Sequence, residues 1–338
     1  MAGRLIELPP PRGPLSEKLF ETLMGPPGLG LGLAGIDSPD PLADEDLQLA
    51  LYVAYELHYS GIAEVDEAWE WEPALLAFRA ALERPFEDAV AELVPAADPA
   101  ELESVGAALQ AIVAEDTGPP LSRYLEGQGT REQMLEQVVH RSAYQLKEAD
   151  PHSWAIPRLT PGPKAALLEV QFDEYGGGNA ERMHSALFAR TMEGLGLDPV
   201  YGRYLDRWPA ATLATVNLVT FFGLHRRRRG ALVGHLAGFE MTSSIPNRRY
   251  GNALRRLGFG PDVTHFYDEH VEADAVHENI AAWDLAGGLA AAEPDVAADV
   301  LFGARALLAV EALWARHLLD AWEAGESSLR SPLVPAPA

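Results

Sequence analysis

From Asp44 onward, nearly every segment of this chain spaces its apolar residues for helices rather than alternating them as strands do, with Pro and Gly at the breaks. An all-α fold follows, because a strand buried on one face needs a period of two. The spacing predicts helices near 44–59, 73–94, 98–115, 130–149, 162–194, 210–226, 230–243, 246–258, 264–287 and 295–324. Residues 1–42, rich in Pro and Gly, predict an irregular arm. The Pro119–Pro120 break and the loop around Gly127 and Gly129 predict a helical region over 43–125, a core over 126–328 and a tail over 329–338.

Composition narrows the chemistry. A chain of 338 residues can bury a substantial core without cross-links. It has no cysteine, which excludes disulfides, iron–sulfur clusters, thiolate-held haem and thiol nucleophiles, and leaves any metal to oxygen and nitrogen ligands. A net charge of -24 argues against nucleic-acid binding through a general basic surface. No apolar run approaches the roughly 20 residues that span a bilayer, and no basic-then-apolar leader opens the chain. A cytoplasmic protein without membrane partners is the expectation.

Within the predicted core, Glu181-x-x-His184 and Asp274-x-x-His277 each set a carboxylate and an imidazole about one helical turn apart. On an ideal helix His270, Asp274 and His277 share an arc of about 60°. A solvated acidic helix competes with that reading, given Glu269, Glu272 and Glu278. Glu240 ends the apolar stripe Val233–Leu236, so it is either a paired or metal-bound buried carboxylate or a residue at a frayed, wet helix end. Four-helix carboxylate metal sites take a Glu from each of two helices and a carboxylate-x-x-His pair from each of two others. Glu148, which periodicity alone places on the surface, enters as the carboxylate of the preceding helix. Glu174 is a further candidate, seven residues before Glu181 and nearly above it on a continuous helix. Gly176, Gly177 and Gly178 soften that helix, either for rearrangement or for close packing.

The order Glu, Glu-x-x-His, Glu, His-x-x-x-Asp-x-x-His, with the flanking stretches Tyr144–His152 and Asp173–Gly178, resembles the haem-oxygenase-like di-iron oxidases and oxygenases, in the subgroup of iron-containing redox enzymes. The resemblance covers roughly residues 130–325. It implies a haem-oxygenase-like helical bundle, here with an additional N-terminal helical region. It also implies two non-haem iron ions, dioxygen as co-substrate and a small organic substrate, with an external electron donor as a partner where the reaction needs one. Position by position it implies Glu148, Glu181 and His184 on one iron, and Glu240, Asp274 and His277 completing the pair. His270 and Glu174 match ligands present in some members. The implied reactions are amine or amino-acid N-oxygenation, oxidative decarboxylation and carbon–carbon cleavage.

A ferritin-like metal oxidase and a non-enzymatic helical interaction protein are the competing readings. The run His225–Arg229 is expected to answer a helix end and nearby acidic surface, and His58 is set aside because Glu56 points to another helix face. The N-terminal helical region could supply a homodimer surface.

Overall fold

Asp44 shows how local chemistry starts a helix: its carboxylate accepts from the backbone N–H groups of Asp46 and Leu47 and opens α2 (Glu45–Glu56). In the computed structural model, which describes residues 5–333 except 29, 33–35 and 37 and only the backbone of 272–276, helices account for the architecture. Among the described residues the one departure is an isolated bridge between Ile6 and Ile62. Pro14–Leu23 forms α1, inside the arm whose composition predicts irregular chain. Pro14 suits a first helical turn, Leu19, Phe20 and Leu23 are buried, and the Asp46 carboxylate accepts from Leu15 and Ser16 N–H.

The order continues with α3 (Pro73–Leu93), α4 (Val105–Ala114), α5 (Leu121–Gln128), α6 (Arg131–Gln145), the short α7 (Asp150–Ser153), α8 (Pro161–Glu174) and α9 (His184–Gly194). Then come α10 (Ala210–Leu224), α11 (Arg229–Arg256), α12 (Pro261–Asn279), a π-helix (Ile280–Gly287), α13 (Gly288–Ala292) and α14 (Ala297–Glu323). A reciprocal capping box between Thr130 and Gln133 starts α6. None of these described helices is long and apolar enough to cross a membrane.

The helix expected over 98–115 starts only at Val105, that over 130–149 ends at Gln145, and α5 lies where no helix is expected; three further differences bear on the site. The expected helix over 162–194 is two helices, because Gly176, Gly177 and Gly178 all take left-handed backbone angles (φ 71°, 62° and 84°) that end α8. The helices expected over 230–243 and 246–258 are one, running through Pro246. Packing of α11 along both α12 and α14 outweighs the local cost of that proline, roughly 3 kcal/mol. The helix expected over 264–287 changes to π geometry at Ile280, three residues past His277.

The central contact is α11 against α14, and it is close because a Cβ at Gly234 would overlap the Val300 carbonyl and one at Gly303 would overlap that of Ala231. One apolar cluster runs from Leu47 and Trp69 of the N-terminal region through Phe221 and Val233 to Val300. A second, around Phe188, Phe266 and Trp314, fills the other end of the bundle. Five segments, the ends of α6 and α8, the start of α9, and the middles of α11 and α12, bring carboxylates and imidazoles together in the interior.

Candidate metal centre

Glu148 lies in the turn that ends α6. The next residue, Ala149, takes φ 74°, unusual for a residue with a side chain, and Gln171 Nε2 donates to its carbonyl at 2.9 Å. Lys147 pairs with Glu56 of α2, which also accepts from Tyr201 Oη at 2.8 Å. The N-terminal region thereby holds the residue before Glu148. Glu174 closes α8, and the glycine turns that follow carry the chain back so that His184 opens α9. Glu240 comes from α11, and His270 and His277 from α12.

All six are buried, none more than 7% exposed. Their ligand-type atoms form two groups, each within 4.8 Å: Glu148, Glu174, His184 and His270, and then Glu174, Glu240 and His277. Glu174 belongs to both. His184 Nδ1 lies 2.8 Å from Glu174 Oε2, but out of line for a hydrogen bond, so both atoms lack a hydrogen-bond partner among the described residues. Glu148 Oε2 and His277 Nδ1 also lack one. Native interiors rarely leave such atoms unmatched.

Second contacts aim the imidazoles. His270 Nδ1 lies 2.8 Å from the Phe266 carbonyl, which takes its N–H and turns Nε2 toward Glu148 Oε1 at 3.5 Å. His277 Nε2 lies 3.0 Å from Asp173 Oδ2, turning Nδ1 toward Glu240 Oε2 at 3.5 Å. Burial pushes Glu148, Glu174 and Glu240 above the usual carboxylate range, against the opposing pull of nearby imidazoles. Burial first, and His270 next, lower His184 to about 4. Burial would lower His277 too, but Glu240 and Asp173 outweigh it and hold it up at about 9. Carboxylates crowded in a dry interior with bare imidazole nitrogens are the donor set that a pair of hard or borderline cations would satisfy. The cavity lined by Glu148, Glu174, Glu240 and His270, about 10 Å³, is of the order that holds a single water-sized occupant.

Of the residues expected from the sequence, Glu148, Glu174, His184, Glu240, His270 and His277 come together here. Glu181 does not: it is exposed on a short 3₁₀ turn and belongs to neither group. The one-turn arithmetic linking it to His184 assumed a continuous helix, but the 3₁₀ turn ends at Arg182 and the extended backbone of Met183 (φ -55°, ψ 136°) separates it from α9. Asp274 sits on the backbone of α12 between His270 and His277, and its side chain lies outside the described residues.

Sequence reasoning missed Asp173 as the partner of His277, although it adjoins Glu174. It also missed Tyr144 and His152 in the cavity wall. His152 Nε2 lies 3.1 Å from His235 Nδ1, and burial lowers His152 to about 3. The apolar setting of His235 between Gly234 and Leu236 was the available signal. His58 stands apart, 3.2 Å from Glu70 and 2.5 Å from Arg79.

A family profile described as iron-containing redox enzyme matches residues 135–312, the segment that carries both groups of ligand-type side chains. The chain is also 28% identical, over 164 residues, to nitrosourea synthase from Streptomyces achromogenes subsp. streptozoticus. That alignment takes in 48% of this chain and 35% of the relative, so the chain spans about a third of the length of the curated relative it matches.

Proposed function

The chain belongs to the iron-containing redox enzyme family, with the all-α, haem-oxygenase-like fold, and from that footing we propose that it is a non-haem di-iron enzyme that activates dioxygen to oxidise a small organic substrate. The observation that carries the reading is Glu174, shared by two groups of buried ligand atoms that otherwise have no residue in common. In this reading Glu148, His184 and His270 hold one ion, Glu240 and His277 the other, and Glu174 bridges. Three carboxylates balance only part of the charge of two divalent cations, so the reading calls for a fourth, and Asp274, the ligand expected from the sequence, is its candidate.

Two ferrous ions bound there would supply two electrons for the reduction of dioxygen and a concentrated positive charge. The protein contributes a dry, preshaped set of donors. His270 and His277 are aimed by the Phe266 carbonyl and Asp173, Glu148 by the turn at Ala149, and Tyr144 and His152 close the cavity wall. Oxidation at nitrogen is the favoured outcome, because the relative is named for a nitrosourea, a product with oxidised nitrogen. For an amine the balanced reaction is R–NH₂ + O₂ + 2 H⁺ + 2 e⁻ → R–NHOH + H₂O, which requires an external two-electron donor.

Anaerobic titration with ferrous iron, followed by exposure to dioxygen, tests this. About two irons per chain and oxygen consumption proportional to bound iron are expected for a site of this type. Absence of saturable iron uptake would overturn it.

A further inference from the structure

A second cavity, about 380 Å³, opens between α5, α6, α11, α12 and α14 and shares Phe239 and Ser243 with the wall of the metal centre. Its volume falls in the range of small-molecule sites, roughly 300–1,000 Å³. We propose that this cavity binds the organic substrate and selects an uncharged, hydrogen-bonding head group, such as an amide, urea or alcohol, on a compact apolar body. The assignment rests on the di-iron reading, which makes the neighbouring centre the place of reaction.

The selectivity follows from which groups are already matched. Gln137, Arg141 and Gln145 recur every four residues on one face of α6, and all three line the cavity. The stripe ends three residues before Glu148, while Tyr267 lines the cavity from α12, three residues before His270. Gln137 Oε1, Gln145 Oε1 and Tyr267 Oη have no hydrogen-bond partner among the described residues, and the three side chains are 1%, 7% and 2% exposed. A buried polar atom is costly when left unmatched, so three around one cavity point to a ligand that matches them.

The charged groups are different. Arg141 Nη1 and Nη2 donate to the two carboxylate oxygens of Glu311 at 2.9 and 2.6 Å, and the guanidinium lies 3.9 Å from the Trp314 ring centroid. That fork and its counter-charge satisfy each other. Asp116 and Arg123, at the rim, are exposed to water, and Arg249, only half-buried, donates to Ser122 Oγ at 3.3 Å and lies 3.8 Å from Glu126 Oε2. A carboxylate or ammonium entering the interior would lose its hydration and find no uncommitted opposite charge among the described buried lining. A neutral head group meets two amides and a phenol instead, and the rings of Phe188, Phe266 and Trp314 take its apolar body.

Three probes of one shape decide the matter: benzamide, benzoate and benzylammonium, titrated by ligand-observed NMR against the full chain, metal-free and then loaded with ferrous iron under nitrogen. Benzamide is expected to bind saturably and about tenfold more tightly than either charged probe. Tyr267→Phe, which keeps the ring, and Gln145→Leu are each expected to weaken it about fivefold with the far-UV circular dichroism unchanged. A charged probe binding as tightly as benzamide, no saturable binding by any probe, or unchanged affinity in both variants would overturn the proposal. Binding to metal-free protein needs no iron, so failure here with two irons still bound removes the pocket assignment alone. Loss of iron uptake with benzamide binding intact removes the di-iron reading instead.

Discussion

The basic run at the head of α11 and the candidate metal centre use buried or half-buried carboxylates to opposite ends. Arg227 donates to both carboxylate oxygens of Glu87 at 2.5 and 2.6 Å, Arg228 bridges Glu87 and Asp299 at 2.6 and 2.7 Å, and Arg229 pairs with Glu293. Burial would raise Glu87, but Arg227 and Arg228 outweigh it and hold it below the usual carboxylate range. In the centre, burial drives three carboxylates the other way and leaves ligand atoms unmatched. A charge network that closes on itself is structural, and one that stays open in a dry interior marks a candidate site for a partner from outside the chain.

The sharpest way to break that contrast is iron stoichiometry. Glu174→Ala is expected to reduce uptake from about two irons per chain to near zero, because the residue is common to both groups, whereas Glu181→Ala leaves it unchanged. Equal loss in both variants would restore the helical pairing of Glu181 with His184.

Next in size is the closed pair between Lys147 and Glu56, whose side chains are 4% and 1% exposed. Lys147→Met is expected to cost about 3–5 kcal/mol in denaturant unfolding, with Glu56→Leu in the same chain recovering most of it. No recovery in the double variant would mean that the pair is held for more than charge balance.

The pH dependence of the metal-free protein should divide the two regions. Glu240, raised in the folded state, keeps a proton that the unfolded chain has lost, so its contribution is present at low pH and lost as pH rises through the raised value. Glu87, lowered, contributes above its unfolded value of about 4.5, and that is lost as pH falls through its folded value. Thermal midpoints measured against pH should therefore show a flatter alkaline limb in Glu240→Gln and a flatter acid limb in Glu87→Gln. A steeper alkaline limb in the Glu240 variant would contradict the burial argument. The smallest effect is Gly177→Ala, expected to cost about 1 kcal/mol through its positive φ, with iron stoichiometry unchanged.

Some of this was legible before any coordinates. The helix expected over 73–94 is Pro73–Leu93, and that over 210–226 is Ala210–Leu224, because apolar spacing and terminal residues are local signals. The stripe Val233–Leu236–Glu240 left a buried carboxylate as one of two readings, and Glu240 is buried, while His270 and His277 of the same helix fall in the two groups that share Glu174. Glu148 was invisible to periodicity, since it lies beyond the end of α6 in a turn held by Gln171 from α8.

The amino-acid sequence alone determined an all-helical protein, the absence of thiol chemistry and a cluster of carboxylates and imidazoles in the second half of the chain, because these depend on composition and on spacing within single helices. Only the tertiary structure decided that Glu174 and not Glu181 reaches His184, and that Asp173 orients His277. Glycine turns and contacts between helices distant in the chain set those distances, and helical spacing carries no information across a break.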